Sequence, residues 1–134
     1  MGYAGEDVPS LKIPAVVGRP KTRSHAGFDT KSEYIGDEAL SKKSAVSLNY
    51  PIECGVITNW DDMEMIWEHC FANVLKVDSS DMKVILTEPP RNPKANREKM
   101  VRLFFETFRV ECYYVSLPDP LACYSNGRTT GLVC

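Results

Sequence analysis

Long apolar runs are scarce in this chain of 134 residues; the longest, such as Val84-Ile85-Leu86, fall far short of the roughly 18 consecutive apolar residues that a membrane span requires. The opening Met-Gly-Tyr-Ala-Gly-Glu-Asp has neither the basic nor the apolar region of a secretory leader, so the expected compartment is the cytosol or the nucleus. An excess of one charge is missing too. Sixteen Lys and Arg against eighteen Asp and Glu leave a net charge of -2, which supplies no general drive toward nucleic acid or an anionic membrane. The five cysteines, Cys54, Cys70, Cys112, Cys123 and Cys134, are odd in number and contain no Cys-x-x-Cys pair. That disfavours a disulfide framework and a zinc site, and favours free thiols in a reducing compartment. Nucleotide and hydrolase signatures are absent as well: no Gly-x-x-x-x-Gly-Lys-Ser/Thr, no Gly-x-Gly-x-x-Gly after a strand, no Gly-x-Ser-x-Gly. Two histidines, His25 in a polar stretch and His69 off the apolar stripe of a helix, make neither a three-ligand metal set nor a triad base.

What is present reads as one ordinary globular domain, 43% apolar and 25% charged. Leu11 to Gly18 predicts a short strand, with Pro14 marking its start or an edge. Arg19 to Glu33 is polar and lacks periodicity, which predicts an exposed, mobile loop. A helix follows from Asn59 as cap, with Asp61 and Asp62 in its first turn favouring the positive dipole end. Its apolar residues Trp60, Met63, Ile66, Trp67, Cys70, Phe71 and Val74 form one stripe at helical period. Asp61 and Asp62 point about 100° apart on a helix, so capping is preferred to a paired-carboxylate site.

Lys83 to Thr87, a turn through Glu88 to Asn92, a helix, and Cys112 to Leu117 spell strand, crossover helix and strand. That order predicts a parallel pair buried on both faces. Asn92 is expected to cap the helix with Pro93 at its first position, and Val101, Phe104, Phe105 and Phe108 to face the sheet. The basic residues Arg91, Lys94, Arg97, Lys99 and Arg102 alternate with Glu98 and Glu106, which favours a solvated face with Glu98 paired to Arg102 over a phosphate site. Asp119 and Pro120 predict another helix start, with a stop at Asn126-Gly127. Gly131 to Cys134 predicts a strand that the sequence leaves unfinished, so a continuation or a cut is expected.

The same residues form an ordered string: Gly-Tyr-Ala-Gly (2–5), Val-Gly-Arg-Pro (17–20), Gly-Asp-Glu-Ala (36–39), Tyr-Pro-Ile-Glu-Cys-Gly (50–55) and Thr-Asn-Trp-Asp-Asp-Met-Glu (58–64). Leu-Thr-Glu-Pro-Pro (86–90), Asn-Pro-Lys-Ala-Asn-Arg-Glu-Lys-Met (92–100), Phe-Glu-Thr-Phe (105–108) and Gly-Arg-Thr-Thr-Gly (127–131) continue it. The string resembles actin and the conventional actin-related proteins, nearly gap-free over the whole length. The resemblance implies an α/β, partial actin-like (ribonuclease-H-like) fold. Residues 1–20 and 50–134 would be an incomplete outer base subdomain, and 21–49 a small inserted subdomain carrying a mobile filament-contact loop.

The family uses ATP and Mg²⁺, held by two phosphate-cradling hairpins, Asp-Asn-Gly-Ser-Gly and Asp-Ser-Gly-Asp-Gly. Neither lies in these residues, so no cofactor is expected for this chain. Pro118 stands at the family's water-positioning glutamine and has no side-chain donor or acceptor, which implies slow hydrolysis even in a completed chain. Cys54 stands where actin carries a histidine, often methylated, near the nucleotide. The resemblance also leaves out the first central strand of the subdomain. The strand at Lys83 to Thr87 would then have an unpaired flank, an aggregation hazard, and the isolated chain is expected to be marginal or partly molten.

By the family pattern, Tyr124, Gly127 and Thr129 match a cleft that receives actin-binding proteins. Arg19, Lys21, Arg23, Phe28 and Tyr34 belong to the filament-contact segment, and Glu6 and Asp7 match an acidic pair that meets basic partners. For Tyr124 plain core packing is the alternative. The implied function is an actin-like cytoskeletal interaction protein, cytoplasmic or nuclear, whose partners are actin-like subunits and actin-binding proteins. The competing readings are a fragment of a full-length actin-fold ATPase and a non-polymerising actin-related subunit of a larger assembly.

Overall fold

Pro14 sets where the first strand begins. It has no N–H, and its carbonyl accepts from Val16 N–H at 3.0 Å in a tight turn, so β1 runs over Val17–Pro20 and not from Leu11 as expected. The computed structural model of the chain describes residues 1–21 and 31–133. They form two compact units, Met1–Glu53 with Ile57–Val77, and Cys54–Val56 with Asp78–Cys134.

In the first unit β1 is central, between β2 (Tyr34–Ile35) and β3 (Val46–Asn49), both antiparallel to it. Gly18 faces Leu48 there because a Cβ at this position would meet Val46 Cγ2 at 2.9 Å and Ala39 Cβ at 3.1 Å. Val16, Tyr34, Ala39 and Val46 form the core, flanked by Leu40 and Leu48. The short α1 (Asp37–Ser41) supplies Ala39. Arg19 and Pro20 belong to β1 and Glu33 is ion-paired to Arg19, so the expected free loop is narrower than Arg19 to Glu33; residues 22–30 lie outside the described residues.

After the ribbon strands β4 (Ile52–Glu53) and β5 (Val56–Ile57) comes α2, Trp60–His69. Asn59 caps it as its side chain predicts, accepting from Asp62 N–H at 3.1 Å. Met63, Ile66, Trp67 and Cys70 are buried, and Trp60, Phe71 and Val74 half-buried, so the stripe is real. It ends in a π-helical turn, Cys70–Leu75, that closes at Lys76 with φ 55°. His69 is half-buried and its Nδ1 lies 3.0 Å from Asn73 Nδ2.

In the second unit β6 (Lys83–Thr87) and β7 (Cys112–Ser116) are parallel, Lys83 opposite Cys112 and Thr87 opposite Ser116. The crossover helix α3 spans Lys94–Arg102 and runs into a second π-helical turn, Leu103–Thr107. The expected burial of both sheet faces is corrected: Val84, Leu86, Tyr113 and Val115 are half-buried on one face, while Ile85 and Tyr114 are 63% and 65% exposed on the other. A two-stranded sheet with its helix on one side leaves the opposite face open.

Asn92 does not cap α3. Its Nδ2 donates to Glu88 Oε2 at 3.0 Å, and Pro93, with ψ 135°, occupies the cap position. The π turn also changes which aromatics are covered. Phe108 N–H bonds back five residues to the Leu103 carbonyl, and the extra residue turns the helix face. Phe104 and Phe108 are therefore buried with Met100 and Leu103, while Phe105 is 46% exposed. Glu98 pairs with Lys94 at 3.5 Å and Arg102 with Glu106 at 3.8 Å, in place of the expected Glu98–Arg102 pair.

The last helix, α4, is Pro118–Ser125, starting two residues before the expected position, with Asp119 in its first turn making no cap. It stops at Asn126 and Gly127, the latter at φ 67°. Residues 131–133 form no strand, and Cys134 lies outside the described residues.

Candidate functional site

Parallel strands gather polar groups at their carboxyl ends, where α/β sheets bind ligands. Here those ends are Glu88, directly after β6, and Ser116 and Leu117, leading from β7 into α4. Glu88 N–H donates to the Ser116 carbonyl at 3.0 Å, which extends the ladder and holds the two ends together. The Glu88 side chain is only 4% exposed. Arg97 grips it with two nitrogens, Nε at 3.1 Å from Oε2 and the terminal nitrogen on Oε1, while Asn92 supplies a third donor. The Arg97 bonds hold the Glu88 carboxyl below its usual range against the opposing pull of burial, with Asn92 adding to them. Glu88 is therefore a permanently ionised clamp between β6 and α3, with its acceptor positions filled, and not a free general base.

A groove lined by Glu88, Arg91, Arg97, Val101, Tyr113, Val115, Ser116 and Leu117 runs beside this clamp. The Tyr113 ring stacks on Phe104 with centroids 4.8 Å apart and meets Phe105 edge-on at 6.4 Å. Its hydroxyl is buried with no hydrogen-bond partner. Burial, helped by the Glu88 charge, pushes the Tyr113 phenol up to about 12. An unpaired buried hydroxyl costs about 1–3 kcal/mol, so Tyr113→Phe, which keeps the ring stack, should raise the urea-unfolding free energy by about 1 kcal/mol. An unfolded tyrosine ionises near about 10. The Tyr113 contribution is thus intact below that pH and is lost as the pH rises through the folded value of about 12. Tyr113→Phe should remove that alkaline loss; a variant less stable than the parent would show that the hydroxyl has found a partner.

Pro118 is the first residue of α4 and is exposed. Of the first three positions of that helix, Pro118 and Pro120 lack an N–H and Asp119 carries a negative charge. The terminus therefore offers an anion little of what helix starts usually provide. Cys54 and Gly55, at φ 49° and 81°, make the two-residue turn between β4 and β5. The Cys54 thiol is exposed and is not a space-filling core group. Cys112 is exposed, Cys123 half-buried and Cys70 buried, all four as free thiols, and burial pushes Cys70 up to about 11.

Tyr124 is 59% exposed near the end of α4, which removes core packing as its explanation, and Gly127 and Thr129 follow it within the same exposed segment. Gly127 N–H donates to the Tyr124 carbonyl at 2.9 Å. In the first unit Glu6, Asp7 and Lys21 are exposed, and Glu6 accepts from Ser10 Oγ at 2.7 Å. Tyr34 is buried at 6% exposure under the Lys42 ammonium, 3.9 Å from the ring centre. Arg19 is engaged inside its unit: it reaches Asp62 Oδ1 at 2.5 Å and Glu33 Oε1 at 3.1 Å. Arg23 and Phe28 lie outside the described residues.

Sequence reasoning passed over the two buried carboxylates. Glu88 and Arg97 stand nine apart across a turn and a helix start, and Asp62 lies 43 residues from Arg19, so neither pairing follows a local spacing rule. Asp62 is 1% exposed and also accepts from Asn49 and Asn59. The buried acid in a first turn is thus a long-range anchor besides being part of the helix start.

No helix among the described residues is long and apolar enough to cross a membrane. The strand–helix–strand unit, the capped α2 and the Glu88 clamp fall on the string of motifs quoted above, and a family model described as Actin matches residues 1–134. The chain belongs to the actin family.

Proposed function

We propose that this chain works as an actin-like interaction protein, meeting actin or other actin-like subunits and actin-binding proteins through exposed surface, without hydrolysing ATP on these residues alone. The observation that carries the reading is the segment from Tyr124 to Thr129. A tyrosine ring 59% exposed beside a glycine turn contributes little to its own core and is suited to contact. The exposed Glu6 and Asp7 offer a second, acidic surface for basic partners. The assignment of residues 1–20 and 50–134 to an outer base subdomain and 21–49 to a small inserted one, and a cytoplasmic, cytoskeletal location, belong to the same proposal.

ATP and Mg²⁺ fit these residues poorly. The two phosphate-cradling turns of the family occur nowhere in the 134 residues, α4 opens with two prolines and an acid, and the Glu88 carboxylate is filled by Arg97 and Asn92. Among the described residues no three His, Cys, Asp or Glu side chains stand together as a metal cluster. Titration with a fluorescent ATP analogue in the presence of Mg²⁺ should give no saturable binding at micromolar concentrations. Saturable micromolar binding would overturn the second half of the proposal. Co-sedimentation with actin filaments tests the first half: Tyr124→Ala should weaken association by about tenfold, the loss typical of a truncated interface aromatic. No association of the parent chain would count against it.

A further inference from the structure

Alternation along β6 decides which backbone groups meet β7. The Met82 carbonyl accepts from Glu111 N–H at 3.1 Å, and Glu88 N–H donates to the Ser116 carbonyl at 3.0 Å. Even-numbered residues of this stretch therefore turn toward β7, and Lys83, Ile85 and Thr87 turn their N–H and C=O groups to the opposite edge. Among the described residues no strand pairs with that edge. Ile85 and its register partner Tyr114 also hold their side chains in solvent, at 63% and 65% exposure. Such an edge is a ready template for a further strand.

We propose that this edge takes a second copy of the chain, with β6 antiparallel to β6 about a two-fold axis at Ile85. In that register Ile85 faces Ile85 of the second copy and Lys83 faces Thr87. Each outward N–H then meets an outward carbonyl. The one charged residue of the strand, Lys83, lies opposite a neutral side chain, and its ammonium already has Glu111 Oε1 at 3.5 Å. The neighbouring symmetric registers are worse. Centring on Lys83 would set two ammonium groups face to face, and centring on Thr87 would set Ile85 against Pro89, which has no N–H to give. The surface is therefore self-complementary in one register, and because each copy has a single β6 edge, pairing closes at a dimer. This inference is independent of the partner surfaces proposed above.

Sedimentation equilibrium of the 134-residue chain tests it. A dimer is expected, with Ile85→Lys, which brings two ammonium groups to the axis, and Thr87→Pro, which deletes an outward N–H, each raising the dissociation constant by about tenfold or more. Lys94→Gln, on the solvent side of α3, should leave it unchanged. A second measurement does not depend on variants that weaken the strand. Ile85→Cys should link two copies through that position on mild oxidation, because hydrogen-bonded antiparallel partners lie about 5.5 Å apart, within disulfide range; peptide mass identifies the link. A monomer at every concentration, growth beyond a dimer, or linkage only through other cysteines would overturn the proposal.

Discussion

Phe104→Ala should unfold the unit built on β6 and β7, at a cost of about 3–5 kcal/mol. Phe104 is the largest fully buried side chain of the protein, stacked on Tyr113 at 4.8 Å and tilted against Phe108 at 5.4 Å. A two-stranded sheet has few other apolar residues with which to refill that volume, and small domains hold only about 5–15 kcal/mol in total. Phe105→Ala serves as the comparison. Its ring is 46% exposed and should cost about 1 kcal/mol. Urea unfolding followed by near-ultraviolet circular dichroism reads both. Equal losses at the two positions would mean that the π turn Leu103–Thr107 does not form in solution, since it is this turn that separates the covered ring from the exposed one.

Arg19→Met is the second large effect, a loss of about 3 kcal/mol. Removing one partner of a buried ion pair leaves the other charge without compensation, at about 3–5 kcal/mol. Asp62, at 1% exposure, would keep only its amide donors from Asn49 and Asn59. The lower end applies because the Arg19 side chain is 43% exposed and water already screens it. The pair also carries a pH signature. The Arg19 hydrogen bonds hold the Asp62 carboxyl below its ordinary value, more strongly than burial raises it, with Asn49 helping. A depressed acid stabilises the fold fully above its unfolded value of about 3.9 and loses that contribution as the pH falls through the folded value. The gap between the parent and Arg19→Met should thus be full at neutral pH and shrink in acid. A gap that persists well below pH 3.9 would assign the loss to packing of the arginine stem.

Long periodic segments were legible from the sequence and their exceptions were not. The α2 stripe, its Asn59 cap and the parallel order of β6 and β7 follow from spacing and residue type, because those signals are local. Phe105 broke the pattern because a helix that gains one residue per turn no longer obeys the period from which the stripe was read. Asn92 looked like a cap because asparagine before Pro-Lys has the right chemistry. A buried carboxylate four residues back made a stronger claim on its amide. The strand near Leu11 slipped to Val17 for a similar reason, its pairing being chosen by β2 and β3 across long separations. Of the site residues carried by resemblance, Tyr34 and Arg19 turned out to hold their own unit together, whereas Tyr124 stands in solvent. Exposure depends on the whole packed chain, and no single window of sequence contains it.

The clamp between Glu88 and Arg97 has a bearing on how quickly the second unit assembles. Each β6 residue lies opposite the one twenty-nine positions later, so the ladder is rewarded only after a long loop has closed. Glu88 and Arg97 are nine residues apart and can meet during the collapse of a short loop, within tens of nanoseconds. Once they do, α3 is tethered to the end of β6 and the remaining search is for β7 alone. A contact that reads as a static anchor in the folded molecule thereby shortens the route by which a slow parallel pairing is found.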